Sequence, residues 1–196
     1  MGYKSTYNKT IKPIVGFILA LILFLLLWPL YFIIAVAIAI ESGTPVLYKP
    51  LRGGYKQKPF HIYKFRSMVK NADKIGGGTT ALHDPRITKV GNFLRKTKLD
   101  EIPQLLNVFL GDMALIGPRP DSAFYLEHYT PEERVILTVR PGITGWNQAI
   151  NRNSVGTKEK LQADIYYVEH LSFLFDLKVL WLTFKTVLSH KDVYRA

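Results

Sequence analysis

The chain has no cysteine, which excludes a disulfide framework and a thiolate zinc site. The absence agrees with a reducing compartment. Its five histidines, His61, His83, His128, His170 and His190, are scattered without metal-ligand spacing. Gly76-Gly77-Gly78-Thr79-Thr80 is a flexible loop and not a phosphate-binding P-loop, because no Gly-Lys-Ser/Thr follows it. No Ser-His-Asp arrangement, internal repeat or low-complexity tract is legible. Acidic residues are outnumbered, 15 against 26 Lys and Arg, for a net charge of +11. Such a balance points to an anionic partner: nucleic acid, anionic lipid or a phosphorylated substrate.

One further absence organises the whole chain. No charged residue occurs between Ile14 and Ile40. About 20 apolar residues suffice to cross a bilayer, and this run would reach roughly 40 Å as a helix. It is too long for the core of a secretory signal, and no small-residue cleavage site follows it. Pro29, after Trp28, lies near its middle and removes a backbone donor, which kinks a helix. Lys4, Lys9 and Lys12 precede the run, and Lys49, Arg52, Lys56 and Lys58 follow it. Positive residues favour the cytoplasmic side, so both flanks ask for the same face. A helix–break–helix that dips in and returns satisfies both; a kinked spanning helix is the other reading, since proline is tolerated in such helices. On residue pattern alone the base rate slightly favours spanning.

From residue 42 the composition is that of a soluble protein of 196 residues in all, long enough to bury a real core. Val46–Tyr48 and Phe60–Phe65 read as short strands linked through Arg52-Gly53-Gly54. A helix is expected from the Asp100-Glu101-Ile102-Pro103 region to about Leu110, with Ile102, Leu105, Leu106 and Phe109 at helical spacing. Ile116 to Pro120 reads as a stiff loop, and Pro131 to Val139 as another helix. Lys158 to Leu188 is helical in pattern and rich in aromatics. That suits either core packing or a helix in the membrane interface.

Asp100 and Glu101 are the chemical candidates. Neighbouring residues on a helix do not face each other, so adjacent carboxylates can divide labour, one attacking or binding metal, the other orienting or moving a proton. The alternative is capping, for which Asp and Glu are common near a helix start. Arg119, held between Pro118 and Pro120, offers a bidentate fork for phosphate oxygens. Lys64, Arg66, Arg95 and Arg152 are further cationic candidates. A diphosphate substrate needs several such groups and usually Mg²⁺, which takes few carboxylates.

Five stretches occur in order: Tyr63-Lys64-Phe65-Arg66-Ser67-Met68, Leu99-Asp100-Glu101-Ile102-Pro103-Gln104-Leu105-Leu106-Asn107-Val108, Gly111-Asp112-Met113, Ile116-Gly117-Pro118-Arg119-Pro120 and Val139-Arg140-Pro141-Gly142-Ile143-Thr144-Gly145. Together they closely resemble the bacterial sugar transferases, the monotopic phosphoglycosyl transferases, over nearly the whole chain. The length resembles the minimal catalytic form.

The resemblance implies an α/β fold, mostly helical and irregular. An N-terminal re-entrant membrane helix over residues 1–41 breaks at Trp28-Pro29, and a catalytic domain with interfacial C-terminal helices covers residues 42–196. It also implies that Asp100 is a nucleophile toward a UDP-sugar, releasing UMP, and that undecaprenyl phosphate or a similar polyprenol phosphate then takes the phosphosugar. Glu101 is its partner acid, Asp100 and Glu101 face Mg²⁺, and Arg119, Arg95, Arg66, Arg152, Lys64 and Gln148 contact phosphate or nucleotide. The family pattern has Ser-Pro where this chain has Trp28-Pro29, and the stretch after Gly145 departs from it while keeping Gln148 and Arg152.

The expected location is the cytoplasmic face of a bacterial inner membrane, among anionic lipids, with room for a homodimer. The rival readings are a non-enzymatic basic adaptor on a single spanning helix and a nucleic-acid-binding domain, the latter suggested by charge alone.

Overall fold

The computed structural model describes residues 2–75, 84–151 and 155–188. The expected glycine loop at 76–80 and Arg152 lie outside the described residues. Among the described residues the fold is mostly helical, with a long apolar N-terminal helix and three small two-stranded sheets.

Short 3₁₀ and π turns, Gly2–Lys4 and Tyr7–Ile11, lead into helix α1, Lys12–Ser42. Pro13 opens α1, where its missing N–H costs nothing. The expected break at Trp28-Pro29 is absent: α1 is one continuous helix with Pro29 inside it. Proline removes one backbone bond, but an unwound turn in an apolar medium would strand several, so the helix continues. Trp28 points outward and is 62% exposed.

The stripe that α1 buries is Lys12, Gly16 and Ala20 in its first half, then Ile34 and Ile38 in its second, each run at four-residue spacing. Its other faces present leucine, isoleucine and phenylalanine outward; Leu26, Phe32 and Ile40 are all more than three-fifths exposed. An apolar surface that large marks a membrane or partner contact.

Both halves of α1 share cores with the rest of the chain. Ala20 and Leu27 pack with Phe60, Ile62, Leu105, Val108 and Met113. Ile34 and Ile38 pack with Phe65 and Leu94. Phe17 stacks on Phe109 with ring centroids 4.8 Å apart, and the Tyr31 hydroxyl donates to the Ile102 carbonyl at 2.7 Å.

Strand β1 (Leu47–Tyr48) pairs antiparallel with β4 (Lys64–Phe65), and β2 (Leu51–Gly53) with β3 (Pro59–His61). A single helical turn, α2 (Ala72–Ile75), follows. Helix α3 (Lys89–Thr97) and the short helix α4 (Gln104–Phe109) carry the central segment. Strand β5 (Ala114–Ile116) pairs in parallel with β6 (Gly142–Thr144). Where a helix was expected from Pro131 to Val139, Glu133–Thr138 forms tighter 3₁₀ turns.

After α5 (Trp146–Ile150), the helical tail divides into α6 (Thr157–His170) and α7 (Phe173–Leu188). Tyr167, Val168, Leu171 and Val179 form a third core with Ile116 and Val139. Phe173, Leu174, Leu177, Leu180, Trp181 and Phe184 of α7 remain exposed, so this tail combines core packing with an outward apolar face. The start of α1 is locked to it by buried polar groups. Lys12 Nζ lies 2.8 Å from Asp176 Oδ2, with side chains 9% and 3% exposed. The Tyr7 and Tyr167 hydroxyls both donate to the same carboxylate.

Candidate active site

The central carboxylates sit on an elbow between two helices. Thr88 caps α3, its hydroxyl accepting from the Gly91 N–H at 2.9 Å. The Glu41 carboxylate, from the end of α1, accepts the free N–H groups of Lys89 and Val90 at 2.7 and 3.0 Å. At the other end, Lys98 takes the left-handed conformation, φ 62°, and stops α3. Leu99–Glu101 then forms a separate 3₁₀ turn before α4 starts after Pro103. The acid pair therefore sits just before Pro103, as expected, but on a 3₁₀ turn of its own and not on the first turn of α4. Periodicity could not separate a 3₁₀ turn from the first turn of an α-helix.

Two cations from distant parts of the chain converge on Glu101. Lys64 Nζ, from β4, is 2.8 Å from Glu101 Oε1. Arg119 Nη2, from the Pro118-Arg119-Pro120 turn after β5, is 2.6 Å from the same oxygen, and Nη1 is 3.3 Å from Oε2. Burial alone would raise the Glu101 pKa, but the charges and hydrogen bonds of Arg119 and Lys64 hold it well below the ordinary value.

Asp100 has the opposite environment. Its Oδ1 is buried without a hydrogen-bond partner among the described residues. Burial, followed by the neighbouring Glu101 charge, raises its pKa, while Lys64, Lys98 and Arg95 oppose that rise. Of two adjacent acids, one is saturated by cations and the other keeps an oxygen bare. A bare carboxylate oxygen can attack phosphorus or coordinate a cation; one already gripped by lysine and arginine is better suited to positioning them.

The remaining expected residues are dispersed around this centre. Arg95 donates from Nε to Ser67 Oγ at 2.8 Å and contributes to the field at Asp100. Arg66 is buried, and its Nη2 donates to the Ser42 carbonyl and hydroxyl and to the Gly43 carbonyl. It closes the end of α1, although its Nε and Nη1 are without partners among the described residues. Gln148, on α5, donates to the Ile143 carbonyl at 3.4 Å, and its Oε1 is buried without a partner among the described residues. Lys64 and Arg119 are thus brought onto the acid pair, Arg95 is nearby, and Arg66 and Gln148 serve the frame around it.

Three groups near Arg119 were not singled out from sequence. Arg52, on β2, is pushed down by burial and by the charge of Arg119, against the opposing pull of Asp121 and Glu101. Asp121 accepts from the Tyr129 hydroxyl at 3.4 Å. Asp164, on α6, is 5% exposed, and its Oδ1 lacks a partner among the described residues. Burial, reinforced by Asp121 and eased by Arg119, pushes its pKa up to about 8. The available signals were an arginine ahead of Gly53-Gly54 and a single aspartate amid the apolar and aromatic residues of α6.

Among the described residues no group of three or more His, Asp or Glu is arranged to hold a metal. A magnesium ion that keeps waters and substrate oxygens needs only one or two carboxylates. The bare oxygen of Asp100 fits that need; Glu101, in this arrangement, is occupied by its two cations.

The site thus joins a bare aspartate to a glutamate gripped by a lysine and a rigid arginine, on a domain that carries a long apolar helix. The chain belongs to the bacterial sugar transferase family, whose model matches residues 7–190. It is 43% identical over 162 residues to the uncharacterized sugar transferase EpsL of Bacillus subtilis, covering 83% of this chain and 79% of that one. It is 41% identical over 189 residues to the UDP-glucose:undecaprenyl-phosphate glucose-1-phosphate transferase of Escherichia coli, covering 91% of this chain but 40% of that protein. The enzyme of the same name from Caulobacter vibrioides is 36% identical over 191 residues, covering 93% of this chain and 72% of that one.

Proposed function

We propose that this chain transfers a phosphosugar from a UDP-sugar to a polyprenol phosphate, such as undecaprenyl phosphate, through a covalent intermediate on Asp100. The observation that carries the reading is the division between the two acids, Asp100 bare and Glu101 clamped. An oxygen of Asp100 attacks the sugar-proximal phosphorus of the donor. The bond from that phosphorus to the bridging oxygen breaks, and UMP leaves with the electron pair. An oxygen of the polyprenol phosphate then attacks the same phosphorus, forming the lipid diphosphosugar and returning Asp100 as a carboxylate.

Glu101 holds Lys64 and Arg119 where the donor diphosphate arrives. Arg119 is 45% exposed, so its guanidinium can reach incoming phosphate oxygens while it stays paired. Arg95 adds positive potential. Magnesium, when bound, would supply charge neutralisation of the diphosphate, and Asp100 would help to hold it. The relatives from E. coli and C. vibrioides are named for UDP-glucose, so UDP-glucose is the first donor to test.

The attachments of α1 support a helix that is held against the domain at both ends and does not cross the bilayer. Lys12 at one end of α1 is tied to Asp176, and Ser42 at the other is held by Arg66. A helix that crossed the bilayer would carry one end away from the domain. Together with the exposed apolar face of α7, this favours a monotopic protein at the cytoplasmic face of the inner membrane, in contact with anionic lipid.

The test is intact-protein mass spectrometry after exposure to UDP-glucose and Mg²⁺ without acceptor, alongside UMP release. The native chain should gain one hexose phosphate and lose it when undecaprenyl phosphate is added. Asp100→Asn should gain none and turn over at least a thousandfold more slowly. An Asp100→Asn protein that still turns over at the native rate refutes the assignment.

A further inference from the structure

A cavity of about 520 Å³ opens where the segment preceding α1 meets the β2–β3 connection and the 3₁₀ turns that end at Thr138. Lys4, Lys9, Lys56, Arg134 and Arg140 line it together with Tyr55, and none of its lining residues is acidic. The ion pairs among the described residues are Lys12–Asp176, Lys64–Glu101, Arg86–Asp84 and Arg119–Glu101, so none of these five cations is neutralised by a salt bridge.

Neutral partners hold two of them in place. Arg140 donates to the Gly111 carbonyl at 2.9 Å and lies 5.5 Å from the centre of the Tyr55 ring. Arg134 donates to Gln57 Oε1 at 2.9 Å. Five like charges around one concavity repel each other and create a strongly positive local potential. That arrangement becomes favourable when an anion enters.

The cavity is separate from the reacting centre. It shares no residue with Asp100, Glu101, Lys64, Arg95 or Arg119, and Leu137 and Val139 stand between it and the narrow cleft at Arg119. Its depth in the membrane follows from the chain. Lys9 precedes Ile14, the first residue of the uncharged apolar run, by roughly 7 Å of helical rise. The polar headgroup layer is of similar thickness, about 5–7 Å on each side of the hydrocarbon. The basic wall of the cavity thus begins within one headgroup thickness of the apolar run, close enough for a lipid phosphate to reach it.

We propose that this cavity is a binding site for the phosphate-bearing headgroup of an anionic phospholipid, distinct from both substrates of the transfer reaction. The bound headgroup neutralises Lys4 and Lys9 on one wall and Lys56, Arg134 and Arg140 on the other. It thereby clips the segment before α1 to the domain and fixes its position in the headgroup layer. The assignment stands on the cavity and does not depend on the phosphosugar transfer reading.

The test uses the full chain in neutral detergent, titrated with dihexanoyl-phosphatidylglycerol or dihexanoyl-phosphatidylcholine and read by native mass spectrometry. The native protein should take one phosphatidylglycerol at a concentration at least tenfold below that needed for phosphatidylcholine. Two independent double variants, Lys4→Gln/Lys9→Gln and Lys56→Gln/Arg134→Gln, should each raise the phosphatidylglycerol midpoint by about tenfold, in line with the attraction of a basic side chain for anionic lipid. The control, Lys70→Gln/Lys158→Gln, removes the same charge from exposed positions outside the cavity and should shift the midpoint less than about twofold. Equal binding of the two lipids, or an equal loss in the control, overturns the proposal. Displacement of the lipid by inorganic phosphate at matching concentration assigns the site to a free anion and overturns the lipid assignment.

Discussion

Asp176→Asn tests how the start of α1 is held. Asp176 and Lys12 are almost completely buried, 2.8 Å apart, and the Tyr7 and Tyr167 hydroxyls also donate to the carboxylate. The substitution leaves an ammonium group buried without its counter-charge, for which the cost is about 3–5 kcal/mol. The reverse change, Lys12→Met, leaves a carboxylate that still accepts two hydroxyl hydrogen bonds. Hydrogen bonds to a charged group are worth about 1.5–3 kcal/mol each, so this variant should lose only about 1–3 kcal/mol. Lys12→Met/Asp176→Asn contains no stranded charge and should be more stable than Asp176→Asn alone. The coupling between the two sites is then at least about 1 kcal/mol.

For a chain of this size 1 kcal/mol corresponds to about 2–4 °C. Asp176→Asn should accordingly unfold about 10 °C earlier in neutral detergent, followed by circular dichroism. If Lys12→Met proves the more damaging change, or if the two losses add within about 0.5 kcal/mol, the claim of one interdependent charged cluster fails.

Other predictions address the acid pair and its surroundings. If Asp100 attacks as the anion, kcat/KM rises with pH through a pKa above the usual carboxylate value. Lys64→Met, which removes an opposing positive charge, should move that limb to still higher pH; a pH–rate profile with the limb unmoved or lowered contradicts the assignment. Asp164 has a native pKa of about 8 against an ordinary 3.8, so the folded state holds its proton more tightly than the unfolded state. Stability should fall as pH rises from about 4 to 8, and thermal unfolding of Asp164→Asn should lose at least about 2 kcal/mol of that slope, half or less of the full shift. Asn107, fully buried, accepts from the Tyr63 N–H at 2.9 Å and donates to the His61 carbonyl at 2.8 Å; Asn107→Leu strands both backbone groups, should cost about 2–4 kcal/mol, and should slow UMP release through the adjoining Lys64.

The reach of the sequence reading followed the range of the interactions. Asp100-Glu101 and Pro118-Arg119-Pro120 stood out because each is a contiguous segment within a family-like motif; local chemistry alone left the acids open to a capping role. That Lys64 and Arg119 would grip Glu101, and that Arg66 would close the end of α1, was not legible: all three are basic residues in motif-like segments, and only the paths of β4 and β5 distinguish them. Pro29 gave a true local signal for lost hydrogen bonding, but the apolar turns on either side outweighed it. Asp164 and Arg52 were overlooked because their importance comes from burial beside Arg119 and Asp121, which no spacing along the chain announces.

The double attachment of α1 also has a mechanical consequence. A free membrane helix meets a thicker or thinner bilayer by tilting. Here Lys12 is fastened to α7 and Ser42 to Arg66, and the stripe between them is shared with two cores. The helix has little freedom to lean independently. In the proposed monotopic arrangement, changes in lipid thickness would instead raise, lower or rock the protein as a single float, carrying the Asp100 turn with it.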